Sequence, residues 1–136
     1  MYVYYVQMSR EKLKIQIKNK LKEINQIVAE MTTISHMVSG SFGVTYRKCG
    51  KPNCWCNDNE RQGHPFTRIT FNKNQKSKTI AIPKKDIEWA EKMTKNYKTF
   101  RQHFQKLRHA EKTLNDLLNQ FEHEAKNKTK GIRGFY

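Results

Sequence analysis

Acidic residues are scarce in this chain, and their scarcity is informative about its partners. Its 136 residues include 12 Asp and Glu against 27 Lys and Arg, which gives a formal net charge of +15. An imbalance of this size is typical of proteins that bind polyanions, above all nucleic acid. Most of the cations are lysines, which an AT-rich genome also favours, so generic basicity stays open as a second explanation.

Long apolar segments are also missing. Hydrophobic residues make up 36% of the chain and the mean hydropathy is -0.94. No stretch approaches the roughly 20 apolar residues that a membrane span requires, so we expect a cytoplasmic protein without membrane contact. The low apolar content favours elongated helices that share one apolar seam, and at this length we treat residues 1–136 as a single domain.

Proline and glycine are few, with 3 and 6 residues, and they mark segment boundaries. Over 9–38, apolar residues recur at spacings of three and four, which predicts a first amphipathic helix. The glycines and serines of 39–43 end it. Pro83 then opens a long second helix over 84–125, because proline is well tolerated in the first turn of a helix.

The central segment, 39–83, contains two short runs that are rich in β-branched and aromatic residues. These runs, 66–71 and 79–82, are separated by polar turn residues and predict a two-stranded β-hairpin. The fold prediction is therefore a mainly α protein, an antiparallel coiled-coil hairpin capped by a small zinc knuckle and this β-hairpin. Surplus apolar residues on the second helix either complete the seam within the chain or form a homodimer. The basic tail, 126–136, is expected to be flexible.

Cysteine is absent outside one short stretch, which contains Cys49, Cys54 and Cys56. Such clustering does not suit a disulfide framework and is typical of metal ligands. Zinc prefers four thiolate and imidazole ligands in a tetrahedron, so we expect a structural Zn²⁺ ion here. His64 is the first choice for the fourth ligand, Asp58 is a weaker one, and a residue of a second chain is another source. The alternative is that the cysteines are small buried hydrophobic residues.

Most of the excess charge lies in two places. Segment 39–83 carries a net charge of +6 and the tail one of +4, whereas the helical segments are nearly balanced. Cations there are candidates for phosphate contacts, which position a protein on nucleic acid without reading its sequence. Trp55 is a candidate for stacking on a base, with packing against the β-hairpin as the alternative. The candidate nucleic-acid-binding residues are Arg47, Lys48, Lys51, Trp55, Arg61, Arg68, Lys126, Lys128, Lys130 and Arg133.

The motif around the cysteines resembles that of an uncharacterised family of small bacterial and archaeal proteins. Its specific part is Tyr-x-x-Cys-Gly-Lys-Pro-x-Cys-x-Cys, from Tyr46 to Cys56, followed by a His/Gly/Pro element that here reads Gly-His-Pro at 63–65. Some proteins of that family are encoded beside transposase genes. The resemblance implies a role with mobile DNA and supplies no mechanism.

Three functions agree with these features. The first is a zinc-containing DNA-binding accessory or regulatory protein in transposition or recombination of a mobile element, with a transposase or recombinase as its protein partner. The second is an RNA-binding protein, because a basic knuckle with interleaved aromatics also suits single-stranded RNA. The third is a coiled-coil adaptor that binds only proteins. An enzyme is not expected, since no nucleophile or acid pair has a catalytic spacing.

Overall fold

The computed structural model of the protein describes residues 8–130 and residue 132. Helix α1 spans Arg10–Thr32 and helix α2 spans Ile87–Thr129. Between them lie three strands, β1 at Ser41–Arg47, β2 at His64–Lys73 and β3 at Lys76–Ala81. None of the helices in the described part of the chain combines the length and apolar content that crossing a bilayer requires.

Helix α1 begins where its sequence provides a cap and ends where tertiary hydrogen bonds take over. The Ser9 hydroxyl accepts a hydrogen bond from the Lys12 amide at 3.3 Å, which satisfies a free N–H of the first turn. Beyond Thr32, the Val38 amide donates to the carbonyl of Met93 at 3.1 Å. The Val38 amide is therefore bound to α2 and not to a preceding helical turn, so α1 does not reach residue 38, where the sequence predicted its end.

The sheet is antiparallel, with the strand order β1-β2-β3. Strands β2 and β3 are joined through Asn74 and Gln75, whose φ angles of 53° and 65° are both positive. Two successive positive φ angles are typical of the tight turn whose twist matches that of a hairpin. Phe42, Ile69 and Ile80 are paired across the three strands and share one face, with Ile69 buried at its centre.

The predicted coiled-coil hairpin capped by a two-stranded β-hairpin was wrong. The sheet has a third strand, β1, in a region that the sequence analysis interpreted as the end of a helix followed by a loop. Among the described residues, extensive close backbone contact between elements occurs only within the sheet. Helices α1 and α2 therefore lack the repeated close approach that interlocking coiled-coil side chains require.

The chain divides into two compact units. The first combines α1 with the part of α2 that begins at Gln102, and the second is Ile34–Arg101, which contains the sheet and the start of α2. Compactness alone does not decide whether such units fold independently. The prediction of a single domain over 1–136 therefore stays a prediction.

In the first unit each helix buries a few apolar side chains and adds two polar contacts. The Arg10 guanidinium lies 5.2 Å from the centroid of the Phe121 ring. His103 Nε2 lies 2.9 Å from Glu30 Oε2. Among the described residues of this unit, the buried apolar ones are Leu13, Ile27, Met31, Ala110 and Leu117.

Candidate metal centre and nucleic-acid interface

The predicted metal ligands are brought together by strands β1 and β2 and by the loop that connects them. Arg47, the last residue of β1, is paired with His64, the first residue of β2. The loop over 48–63 therefore leaves and re-enters the sheet at the same point. Cys49 follows β1 closely, while Cys54 and Cys56 lie at a short 3-10 turn inside the loop.

The four ligand atoms of Cys49, Cys54, Cys56 and His64 all lie within 4.8 Å of one another. The Cys49 and Cys56 sulfurs are 3.5 Å apart, and Cys54 Sγ is 3.1 Å from His64 Nε2. Zinc–ligand bonds of about 2.0 to 2.3 Å in a tetrahedron separate the ligand atoms by roughly 3.5 to 3.8 Å. The two closest separations lie at or just below that range and none exceeds 4.8 Å, so these residues lie close enough to hold one metal ion, and their chemistry is compatible with zinc.

Gly63 makes this closure of the loop sterically feasible. Its φ angle is 101°, and a Cβ atom at this position would lie 2.5 Å from the carbonyl oxygen of Arg47. Only glycine combines such a conformation with such a close approach at low cost. Gly63 thereby allows His64 to begin β2 beside the end of β1, which places the imidazole next to the Cys54 sulfur.

Hydrogen bonds within the loop hold the sulfurs in position. The Cys49 amide donates to Cys56 Sγ at 3.3 Å, and an amide donor of this kind stabilises a thiolate that binds a metal. Asn57 Nδ2 donates to the carbonyls of Lys51 and Pro52 at 2.6 and 2.8 Å. Cys56 is fully buried and Cys49 is exposed, so an ion held here would have one side close to solvent.

Asp58, the weaker alternative ligand, does not belong to the group of converging ligand atoms found in the described residues. Its Oδ1 accepts a hydrogen bond from the Glu60 amide at 3.1 Å, and its Oδ2 lies 3.8 Å from Arg61 Nε. The Asp58 carboxylate is therefore bound by other residues of the same loop. His64 is therefore the residue that completes a set of four.

One face of the sheet carries two of the predicted arginines together with an aromatic ring. Pairing and alternation place Arg47, Phe66 and Arg68 on this face, which we call the polar face and which also includes Thr45, Thr70 and Thr79. The Arg47 guanidinium lies 4.3 Å from the centroid of the Phe66 ring. Gly43 is paired with Arg68, and a Cβ atom there would meet nothing within 4 Å. The polar face is therefore open beside Arg68.

The loop over 48–63, which we call the metal loop, carries the remaining predicted nucleic-acid contacts of this unit. The Trp55 side chain is 48% exposed, its ring lies 4.6 Å from that of His64, and the Arg61 guanidinium is 5.7 Å from its centroid. Lys48 Nζ donates to Asn59 Oδ1 at 3.4 Å, and Lys51 is exposed. The structure thus brings six of the predicted nucleic-acid contacts into one compact unit with the metal ligands.

The predicted nucleic-acid contacts near the C-terminal end do not belong to the sheet unit but lie on α2 or beyond it. Helix α2 continues to Thr129, so Lys126 and Lys128 are helical, although a flexible tail was predicted from residue 126. Their ammonium groups lie 2.8 and 3.5 Å from the carboxylates of Glu122 and Glu124. Lys130 is exposed just beyond the helix, and Arg133 lies outside the described residues. Their contribution to binding stays a prediction.

Phe66 and Gly43 were not predicted from the sequence as parts of the candidate interface. Both depend on β1, because the Arg47 guanidinium reaches Phe66 only across the β1–β2 pair. The signal that could have found them is the alternation of Phe42, Val44 and Tyr46 with smaller or polar residues, which is typical of a strand.

A protein-family model described as "Domain of unknown function (DUF6788)" matches residues 4–92, which is more than half of the chain. The matched segment contains the whole sheet and all four candidate ligands. Neither the curated proteins nor the solved structures contain a significant match to this sequence.

Proposed function

The chain belongs to the family of the domain of unknown function DUF6788, and we propose that it is a DNA-binding accessory or regulatory protein with a structural zinc ion. The DNA would be that of a mobile element undergoing transposition or recombination. One observation carries the proposal, namely that a Cys₃His group, two arginine–aromatic pairs and an excess of cations share one compact unit.

The role proposed for zinc is structural. All four positions of a tetrahedral site would be filled by side chains of this chain, which leaves none for a water or a substrate. A bound ion would join the end of β1, the start of β2 and the 3-10 turn of the loop. It would therefore fix the orientation of the basic residues on either side of the ligands.

The charge of this unit supports a polyanionic partner. The segment 39–83 contains eight Lys and Arg but only two acidic residues, Asp58 and Glu60. Within the described residues of that segment, the ion pair of Asp58 with Arg61 is long, at 3.8 Å, and exposed. Exposed pairs of this kind neutralise little charge, so most of these cations remain available to phosphates.

The preference for DNA over RNA is supported by the sequence motif. The segment Tyr46–Cys56 resembles the motif of small proteins of which some are encoded beside transposase genes, and this resemblance favours a role with mobile DNA. A transposase or recombinase is therefore the protein partner that we propose.

The proposal predicts salt-dependent binding that depends on the basic residues of the sheet unit. We expect the full chain, purified with zinc, to bind DNA with an affinity that falls steeply as salt is raised. Replacing Lys48, Lys51, Arg61 and Arg68 by Gln should weaken binding by at least about tenfold and reduce the salt slope by about 3 to 4 units. Fluorescence anisotropy with labelled DNA over a salt series measures both quantities.

A control variant with the same change of net charge separates a defined interface from generic basicity. Lys12, Lys14, Lys18 and Lys22 lie on α1, are exposed, and belong to the other compact unit. Replacing them by Gln should change the affinity much less. Equal losses in both variants would show that binding follows total charge, and a dissociation constant weaker than about 10⁻⁴ M for duplex DNA, single-stranded DNA and RNA would favour a protein adaptor.

A further inference from the structure

We infer that the DNA bound by this chain is single-stranded and lies across the polar face and the metal loop, with bases stacked on the Arg47–Phe66 pair and on Trp55. This inference rests on the proposed function, because it specifies the form of nucleic acid that the same unit binds.

The first reason is that two aromatic rings, one exposed and one half-buried, lie next to guanidinium groups. Trp55 is about half exposed, and the Arg61 guanidinium lies over its ring. On the polar face the Arg47 guanidinium lies over the Phe66 ring. Aromatic rings and guanidinium planes bind unpaired bases by stacking. In a duplex, both faces of each base are already covered by neighbouring bases, so these surfaces would have nothing to stack on.

The second reason is the open space beside Arg68. This residue follows Phe66 by two positions on the same face, a distance of about 7 Å along a strand. Its neighbours across the strands are Gly43 and Ala81, so no large side chain flanks it on either side. A backbone phosphate could therefore reach the guanidinium while the adjacent base stacks beside Phe66. Stacking together with phosphate contact is the usual mode by which proteins bind single strands.

The competing mode is insertion of the β2–β3 hairpin into a duplex groove. The hairpin carries Lys73, Lys76 and Lys78, and a two-stranded ribbon fits the major groove. Strand pairing places these three lysines on the opposite face, with Phe71 and Ile69. A duplex bound through them would therefore leave the polar face unused, and for this reason we favour the polar face. Neither Trp55 nor the Arg47–Phe66 pair would have a role in that mode.

The test compares single-stranded with duplex DNA in the zinc-loaded full chain. A labelled oligothymidine of about 20 nucleotides and a duplex of the same length are titrated at about 0.15 M ionic strength. We expect the single strand to bind at least about tenfold more tightly. Trp55→Ala should weaken its binding by about 5- to 150-fold, the range measured for the loss of one stacking contact.

The chain contains a matched control for Trp55. Its second tryptophan, Trp89, is exposed to a similar extent, 56% against 48%, and lies at the start of α2. Trp89→Ala should leave binding of the single strand nearly unchanged. In a Trp89→Phe background Trp55 is the sole tryptophan, and saturation with the oligonucleotide should quench its fluorescence through base stacking.

Phe66→Leu separates stacking from packing, because leucine keeps an apolar side chain and removes the ring. It should weaken single-strand binding with little change in the melting temperature. The inference is overturned if the duplex binds as tightly as the single strand, if Trp55 fluorescence does not change, or if both tryptophan variants lose affinity equally. Tighter binding to an RNA of the same length would overturn the assignment to DNA. Failure to bind any nucleic acid would instead overturn the proposed function.

Discussion

Gly63 shows how strongly one residue can determine the geometry of the metal loop. Its positive φ angle and its contact with the Arg47 carbonyl allow His64 to lie beside the cysteines. Gly43 is the natural comparison, because it lies in the same sheet with open space around the position of a Cβ atom. Substitution by alanine should therefore affect the stability of the protein differently at the two positions.

We expect Gly63→Ala to destabilise the protein by about 1 to 3 kcal/mol, since both the backbone strain and the clash with Arg47 must be relieved. Gly43→Ala should change the free energy of unfolding by no more than about 1 kcal/mol, with stabilisation the expected direction. Chemical denaturation of the zinc-loaded proteins measures both values. A Gly63 variant as stable as the Gly43 variant would contradict the close approach described here.

The cysteines and His64 provide a second prediction at the residue scale. Cys54→Ser removes one of four proposed ligands, so the variant should contain well under one equivalent of zinc and lose at least about 2 kcal/mol of stability. Asp58→Asn removes the alternative carboxylate and should retain one equivalent. Metal analysis of protein purified without added zinc, together with thermal melting, tests both variants. Loss of zinc from the Asp58 variant alone would transfer the role of ligand to the carboxylate.

Among the helices and strands, β1 accounts for most of the difference between the predicted and the observed fold. Phe42, Val44 and Tyr46 alternate as in a strand, but Gly40 and Gly43 favoured the interpretation as a break. Gly40 lies where β1 begins, and a Cβ atom there would be 2.6 Å from the Ile69 side chain. The glycine therefore marks a close contact within the sheet, which sequence spacing does not distinguish from a loop.

Near its C-terminal end, helix α1 makes a polar contact between Glu30 and His103 that depends on pH. The hydrogen bond from Gln26, and then that with His103, lower the pKa of Glu30, with smaller contributions from the charges of His103 and Lys106. A carboxyl whose pKa is lower in the folded chain binds fewer protons there than in the unfolded chain. It therefore stabilises the fold above its unfolded pKa, and this stabilisation disappears as the pH falls through the folded pKa.

We expect Glu30→Gln to lower the melting temperature slightly at neutral pH and to have no effect in acid, where the wild-type carboxyl is protonated. The difference in melting temperature should close as the pH falls, and it should shrink at high salt because Glu30 is exposed. Glu111→Gln, at an exposed position in the middle of α2, is the control. A difference that grows on acidification would contradict the assigned direction of the shift.

At the scale of the whole molecule, all four candidate ligands belong to one of the two compact units. Chelation of zinc should therefore loosen Ile34–Arg101 and leave α1 nearly unaffected. Hydrogen exchange before and after dialysis against a chelator measures this loosening at each backbone amide. Faster exchange is expected in β1 and β2. Equal acceleration in α1 would instead indicate that the whole chain unfolds as a single cooperative domain.

The sequence by itself determined the two long helical segments, the strands β2 and β3, the excess of cations, and the set of cysteines with His64. These features depend on local periodicity, turn residues and the chemistry of each side chain, all of which can be read along the chain. Only the tertiary structure decided that β1 joins the sheet, that α1 ends at Thr32, and that Arg47 meets Phe66. Each of these depends on contacts between residues far apart in sequence, namely strand pairing and the bond from Val38 to Met93, which no local pattern records.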